Sequence, residues 1–180
     1  MRIIAGAWRG RPIDAPPGRG TRPTSDRARE GLFSMLQSRL GTFEGLRVAD
    51  LFAGTGALGL EALSRGAAHC LFVEKDREAI AILKRNIDRL GAGERVDVRP
   101  QSVEHAPPPA LPFDLVLMDP PYGAGLAQAA LERVAQPGWL APGAWLSVET
   151  SGETLAVPKG LELETDRRFG KAILTLLQKS

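Results

Sequence analysis

The sequence is poor in the residues that build disulfides and metal sites, with one cysteine, Cys70, and two histidines among 180 residues. A single cysteine excludes a disulfide framework, and so few thiols and imidazoles predict no metal site. No apolar run approaches the roughly 20 residues that span a membrane. The first residues also lack the apolar core of a signal peptide. We therefore expect a soluble cytoplasmic protein without a membrane partner.

The composition is that of an ordinary globular protein, with 43% hydrophobic and 24% charged residues. The net charge of +2 is unevenly distributed along the chain. Residues 1–47 carry nine arginines, no lysine and four acidic residues, which gives +5 and leaves −3 for the rest. Such a basic segment is either a contact for a polyanion, such as nucleic acid, or a solvated arginine-rich face.

From residue 46 onward the hydrophobic pattern alternates between strand and helix. Strands are predicted at 46–52, 70–74, 95–99, 113–118, 144–149, 161–167 and 172–177. Helices are predicted at 57–64, after Asp76 and at 126–134. This order predicts an α/β fold with a doubly wound, mostly parallel sheet and an antiparallel strand pair at the C-terminal end. Residues 1–45 are predicted to form a basic N-terminal extension, a hairpin plus a helix, and residues 46–180 the main domain.

Two segments with ligand-binding features follow the first two strands. Asp50 precedes the glycine loop Gly54-x-Gly56-x-x-Gly59, in which glycine permits close approach of a ligand to the backbone. Glu74 lies 20 residues after Gly54, where a carboxylate accepts the hydroxyls of an adenosine ribose. The glycine spacing also matches NAD-dependent oxidoreductases, which therefore remain an alternative. Asp50, however, suits a cationic group such as an amine better than it suits a pyrophosphate.

A third segment, Asp119-Pro120-Pro121-Tyr122, follows the fourth strand. The Asp119 carboxylate and the Pro120 carbonyl offer two acceptors for the hydrogens of an exocyclic amine, which directs the nitrogen lone pair toward an electrophilic methyl group. Tyr122 offers a ring on which a flipped base stacks. Guanine N2, adenine N6 and a protein glutamine all present such an amine. Cys70 is expected in the core rather than as a nucleophile.

These motifs together resemble the S-adenosylmethionine-dependent methyltransferases that act on amino nitrogens. Over nearly the whole chain the pattern resembles the bacterial RsmD family. Three segments carry that resemblance: RIIAGAWRG at 2–10, RPTSDRARE at 22–30 and LFAGTGALGLEALSRG at 51–66. The resemblance implies a seven-stranded, Rossmann-like class I methyltransferase fold. It also implies transfer of a methyl group from S-adenosylmethionine to N2 of one guanine in 16S ribosomal RNA, conventionally nucleotide 966.

The resemblance also implies roles for individual residues and a monomer that acts on a small ribosomal subunit or an assembly intermediate. The residues expected to hold the target guanine are Asp119, Pro120 and Tyr122. Those expected to bind the cofactor are Asp50, Ala53, Gly54, Gly56, Glu74, Lys75, Gln101, Ser102, Arg22, Thr24 and Asp119. Those expected to contact RNA are Arg9, Arg11, Arg27, Arg29 and Tyr122. A non-catalytic RNA-binding protein is a further alternative, but it leaves the cofactor and amine motifs unexplained.

Overall fold

The computed structural model describes residues 1–16 and 23–180, with the side chains of the second range described from residue 26. Its helices are α1 (Pro23–Leu40), α2 (Ala57–Ser64), α3 (Arg77–Leu90) and α4 (Leu126–Val134). Its strands are β1 (Arg47–Leu51), β2 (His69–Glu74), β3 (Val96–Pro100), β4 (Phe113–Met118), β5 (Leu140–Thr150), β6 (Leu161–Phe169) and β7 (Ala172–Lys179). The predicted bounds of α2, α4 and β4 are confirmed, whereas β5 begins four residues earlier than predicted.

The seven strands form one sheet in the order β3-β2-β1-β4-β5-β7-β6. Pairing is parallel from β3 to β5, whereas β7 is antiparallel to both β5 and β6. The predicted doubly wound sheet with its antiparallel C-terminal pair is therefore confirmed. The strand order reverses between β1 and β4, and in open α/β sheets a ligand crevice forms beyond the carboxyl ends of the strands at that point.

Local sequence explains where α3 begins and ends. The Asp76 side chain accepts a hydrogen bond from the Ala79 amide at 3.2 Å, which satisfies one of the free donors of the first turn. Ile80, Leu83 and Ile87 then recur on one face and are buried. Gly91 ends the helix in the left-handed conformation, with φ 69°.

Within the described residues, no helix is both long enough and apolar enough to cross a membrane.

Two hydrophobic cores lie on opposite faces of the sheet. One joins α1, α2 and α3 to the sheet through side chains such as Phe33, Leu60 and Leu83. The other joins α4 to the sheet and includes Trp139, which is fully buried. Because α1 contributes to the first core together with β1 and β4, residues 1–45 share that core with the rest of the chain instead of having one of their own.

The segment before α1 is bound to the body of the protein by buried polar groups. The predicted hairpin is reduced to one antiparallel bridge between Arg2 and Pro12. The carboxylate of Glu61, which is fully buried in α2, accepts hydrogen bonds from the Ile4 and Ala5 amides at 2.8 and 3.1 Å. Gly6 packs so closely on the Ser64 carbonyl that an added Cβ would lie 1.9 Å from its oxygen. This segment is therefore an integral part of the fold.

Candidate active site

A cleft of about 700 Å³ opens at the carboxyl edge of the sheet and brings together all three predicted motifs. We call the part lined by Asp50, Ala53, Gly54, Thr55 and Glu74 the glycine-loop end. We call the part lined by Asp119–Tyr122 the proline-turn end. Gln101 and Ser102, which follow β3, complete the lining beside the glycine-loop end. The strand order thus places residues 70 positions apart in sequence in one cleft.

The glycine loop has the tight backbone that its sequence predicts. Phe52 has φ 60°, a left-handed conformation that is uncommon for a residue with a bulky side chain. This turn lets the Ala53 amide donate to the Val73 carbonyl at 3.0 Å. Gly56 has φ 90°, and a Cβ there would lie 2.4 Å from a Leu83 methyl. Glycine at position 56 is therefore required both by backbone conformation and by the packing of α3.

Asp50 has a structural role in addition to lining the cleft. Its carboxylate is buried, and Oδ2 accepts a hydrogen bond from the Gly59 amide at 2.8 Å. Burial raises the pKa of Asp50 well above its usual range, and the nearby charges of Asp119 and Glu74 act in the same direction. A cationic ligand group would oppose that shift, so the site favours a positively charged molecule.

Glu74 connects two loops of the glycine-loop end. Its Oε1 accepts from the Gly54 amide at 2.8 Å, and its Oε2 accepts from the amides of Lys75 and Asp76, each at 2.9 Å. A carboxylate oxygen accepts two hydrogen bonds, so Oε1 retains capacity for a ligand hydroxyl. The three backbone donors fix the carboxylate before any ligand arrives.

Gln101 provides an unpaired donor in the same part of the cleft. Its Nε2 atom is buried and has no hydrogen-bond partner in the described part of the protein. A buried polar atom without a partner is costly, and a ligand that accepts its hydrogen removes that cost. Ser102, by contrast, is engaged, because its Oγ lies 2.7 Å from Nδ1 of His105. Together, Glu74 and Gln101 suit a nucleoside.

The proline-turn end is more open than the glycine-loop end. Asp119 is exposed, Pro120 is buried and Tyr122 is 53% exposed. The turn is held to the end of β5 by Glu153, whose carboxylate accepts from the Gly123 amide at 3.1 Å and from the Ser151 amide at 2.8 Å. A carboxylate and an aromatic ring are therefore presented side by side at the mouth of the cleft.

Sequence reasoning missed one residue of this end, Glu149. This residue lies in β5 and lines the cleft together with Asp119, which acts on it electrostatically. The signal was available, because a carboxylate near the carboxyl end of a strand beside β4 must fall at the same edge of the sheet as Asp119. The predicted strand at 144–149 ends on Glu149, but that this strand lies beside β4 is set by the sheet order, which the sequence pattern alone does not give.

The predicted RNA-contacting arginines divide into two groups. Arg9, Arg11 and Arg27 are exposed. Arg29 is only 7% exposed and donates to the Arg2 carbonyl at 2.7 Å. Its predicted contact with RNA phosphates is wrong for this fold, because the guanidinium lies inside the protein and holds the N-terminal segment.

Two further predicted residues, Arg22 and Thr24, cannot be placed in the site. Arg22 lies outside the described residues, and the Thr24 side chain is likewise not described. Their predicted roles at the cofactor stay predictions.

Cys70 is buried in the core of the sheet, as predicted. Burial raises the pKa of its thiol well above the usual range, and the nearby Asp50 carboxylate adds to the shift. The thiol therefore stays protonated and inside the protein. Among the described residues, no group of three His, Cys, Asp or Glu side chains is arranged to hold a metal ion.

Comparison with known proteins agrees with this geometry. The family model described as conserved hypothetical protein 95 matches residues 1–178. The chain is 37% identical to Ribosomal RNA small subunit methyltransferase D of Escherichia coli over 181 residues, which cover 99% of this chain and 90% of the relative. The solved structure of the Escherichia coli protein yhhF aligns with a TM-score of 0.88 at 36% identity, covering 100% of this chain and 98% of that one.

A more distant structure shows how widely the fold is shared. Magnesium protoporphyrin IX methyltransferase of Synechocystis, solved with S-adenosylmethionine bound, aligns with a TM-score of 0.69 at 14% identity. The alignment covers 87% of this chain and 80% of that one. At this identity the likeness concerns the fold alone, which is the predicted class I methyltransferase fold.

Proposed function

The chain belongs to the RsmD family, described as conserved hypothetical protein 95, and on that premise we propose that it methylates the exocyclic N2 amine of a guanine in 16S ribosomal RNA. The methyl donor would be S-adenosylmethionine. The observation that carries the proposal is the placement of Asp119–Tyr122 beside Asp50 and the glycine loop in one cleft.

The residues of the glycine-loop end fit S-adenosylmethionine. The Glu74 carboxylate would accept the ribose hydroxyls, and the unpaired Nε2 of Gln101 would donate to a ring nitrogen of adenine. A cation beside Asp50 would favour the ionised form of its carboxyl group, and the ammonium group of S-adenosylmethionine is such a cation. NAD would instead bring a pyrophosphate toward these carboxylates, which disfavours the oxidoreductase alternative.

When bound, this cofactor supplies an electrophilic methyl group: a bond forms between N2 and the methyl carbon while the carbon–sulfur bond breaks and sulfur keeps the electron pair. The protein's task is to orient the amine. Asp119 and the Pro120 carbonyl accept its two hydrogens, which weakens conjugation of the lone pair with the ring. Tyr122 stacks on the base. The amine hydrogen that leaves after transfer passes through the Asp119 carboxylate to solvent, so no strong base is needed.

Two observations favour this chemistry over alternatives. The burial of Cys70 leaves no thiol at the cleft among the described residues, so transfer proceeds directly from donor to amine. The exposed Arg9, Arg11 and Arg27 favour a polyanionic substrate over a protein glutamine. We infer that the RNA is bound by a monomer, in a small subunit or an assembly intermediate.

The test is methyl transfer from labelled S-adenosylmethionine to four acceptors: small ribosomal subunits from a strain that lacks this protein, naked 16S ribosomal RNA, DNA and total protein. Nuclease digestion and mass spectrometry then locate the labelled nucleotide. We expect N2-methylguanine at a single position, from one or both RNA acceptors. Label on adenine N6, on DNA or on glutamine would overturn the assigned acceptor while leaving the donor in place.

A further inference from the structure

A second carboxyl group lies at the proline-turn end of the cleft and has no role in the mechanism so far. Glu149 is half-buried near the end of β5, one strand away from Asp119. The two strands are parallel, and Met118 of β4 is in register with Val148 of β5. The residues that follow this pair are Asp119, directly after β4, and Glu149, still within β5, which places both at the same level of the sheet edge. Neighbouring strands lie about 4.8 Å apart, which is within reach of a contact between the two side chains.

Both carboxyl groups line the same cleft, and two carboxyl groups this close interact most favourably when one of them holds a proton and donates it to the other. Burial, hydrogen bonding to Asp119 and the charge of Asp119 together raise the pKa of Glu149 to about 9. The proton therefore resides on the more buried member, Glu149, and Asp119 remains the acceptor.

The surroundings of Glu149 offer no cation among the described residues to release that proton. On β7, the residue in register with Glu149 is the apolar Leu174. Glu153, in the following loop, is engaged by backbone amides. Asp50 is a third carboxyl group that lines the cleft, and it interacts electrostatically with Asp119. Among the described residues, the charge that acts on Glu149 is that of Asp119, which favours the protonated form, whereas Lys75, which also lines the cleft, follows Glu74 at the glycine-loop end.

We propose that Glu149 is a positioning residue that donates a hydrogen bond to the Asp119 carboxylate and so directs the other Asp119 oxygen at the target amine. Asp119 is exposed, and the prolines after it fix the backbone but leave its side chain free to rotate. A donor on the neighbouring strand restricts that rotation. If Glu149 were ionised, the two carboxylates would repel each other and Asp119 would turn away from the amine. The inference rests on the proposed function and adds a group that controls it.

The test compares the pH dependence of kcat in wild type, E149Q and E149A, with saturating S-adenosylmethionine and RNA between about pH 6 and 10. E149A removes the donor, and we expect kcat near pH 7 to fall roughly tenfold or more, the loss typical of a hydrogen bond to a charged group. E149Q keeps a donor that does not titrate, so we expect rescue to within about threefold of wild type. E162Q, which removes an exposed carboxylate from β6, is the matched control and should follow wild type at every pH.

The decisive quantity is the ratio of kcat for E149Q to kcat for wild type. Because Glu149 loses its proton as the pH rises through about 9, wild type should lose rate there while E149Q does not, and the ratio should rise. Taking the ratio cancels any titration of guanine itself. A ratio that stays flat, or an E149Q variant as slow as E149A, would overturn the proposal.

A second readout does not require a methyl acceptor. Carbon-13 NMR of protein labelled at the glutamate carboxyl carbon, with E149Q identifying the signal, follows Glu149 directly. We expect an alkaline midpoint that moves to lower pH in D119N, because the facing charge is gone. A midpoint near the ordinary glutamate value of about 4.3 would overturn the proposal. If no RNA is methylated, the proposed function fails, whereas this titration still decides whether the two carboxyl groups share a proton.

Discussion

At the glycine-loop end of the cleft, Asp50 and Glu74 accept hydrogen bonds from backbone amides, whereas at the proline-turn end Asp119 and Glu149 interact with each other. The first arrangement is set by the chain itself, because each backbone donor lies within 20 residues of its acceptor. The second exists only because β4 and β5 are neighbours in the sheet.

This difference assigns different tasks to the two ends. Carboxylates locked by backbone donors cannot turn, which suits a site that binds the same cofactor in every turnover. A carboxyl pair held by one shared proton is easier to disturb, because a change of pH or of one side chain alters it. We therefore expect substitutions at the glycine-loop end to change affinity and substitutions at the proline-turn end to change rate.

Asp119→Ala should produce the largest effect and the clearest separation of the two ends. Loss of the acceptor for the amine should lower kcat on the order of 1,000-fold, as loss of a positioned polar group at a reacting centre does. Affinity for S-adenosylhomocysteine should stay within about threefold, because the Glu74 contacts are unchanged. Single-turnover kinetics and calorimetry measure the two quantities.

The control for that substitution is Asp88→Ala, which removes an exposed carboxylate from α3. Both quantities should match wild type. If Asp119→Ala weakened S-adenosylhomocysteine binding as strongly as it slowed transfer, the separation of tasks between the two ends would be wrong.

Glu74→Ala should have the next largest effect, and that effect should be on the affinity for S-adenosylhomocysteine. The substitution removes the acceptor for the expected ribose hydroxyls and leaves the Gly54, Lys75 and Asp76 amides without their shared partner. We expect S-adenosylhomocysteine to bind roughly 10- to 100-fold more weakly, the equivalent of one or two hydrogen bonds to a charged group. At saturating cofactor, kcat should stay within a few-fold of wild type. A loss confined to kcat would contradict the assignment of cofactor binding to the glycine-loop end.

The difference between contacts set by nearby residues and contacts set by strand pairing also decides how much of the molecule is predictable from sequence. Helix α2 has its predicted bounds because the left-handed Gly56 starts it and Arg65-Gly66 stops it, and both signals are local. The position of Glu74 at the cleft follows from its place at the end of β2 and its distance from Gly54. Features that depend on neighbouring residues are thus predictable from the sequence.

Features made by contacts between distant segments were not predictable in this way. Arg29 lies three and four residues before Leu32 and Phe33, on the apolar face of α1, but the hydrogen bond from its guanidinium to the Arg2 carbonyl joins residues 27 positions apart and has no local signal. Likewise the hydrogen bonds from the Ile4 and Ala5 amides to the buried Glu61 join residues 57 and 56 positions apart. The partner of Asp119 belongs to this group, because β5 follows β4 only after α4.

Tyr122→Ala tests the proline-turn end with a smaller effect. If the ring stacks on the target base, its loss should lower kcat/KM for RNA roughly 10-fold or somewhat more, since stacking of a base on an aromatic side chain contributes about 1–3 kcal/mol. Tyr122→Phe keeps the ring and should retain most of the activity. S-adenosylhomocysteine affinity should be nearly unchanged in both variants. Equal losses in the two variants would instead assign the role to the hydroxyl.

Arg9→Ala should have the smallest effect and should change neither end of the cleft. Arg9 is exposed on the N-terminal segment that is fastened to α2 through Glu61 and Ser64, so a phosphate bound there is held at a fixed place on the protein. Each lost phosphate contact should lower the slope of log affinity against log salt by about 0.7 to 0.9. Affinity for RNA measured at several salt concentrations reports that slope.

The control for Arg9→Ala is Arg99→Ala on β3, where the guanidinium lies 3.6 Å from the Asp97 carboxylate and is already paired. This variant should keep the wild-type slope. With saturating RNA, the single-turnover rate of Arg9→Ala should also equal that of wild type, because the amine, Asp119 and the cofactor are untouched. A reduced rate at saturating RNA would mean that the N-terminal segment acts on the chemistry and that the cleft alone does not contain the catalytic machinery.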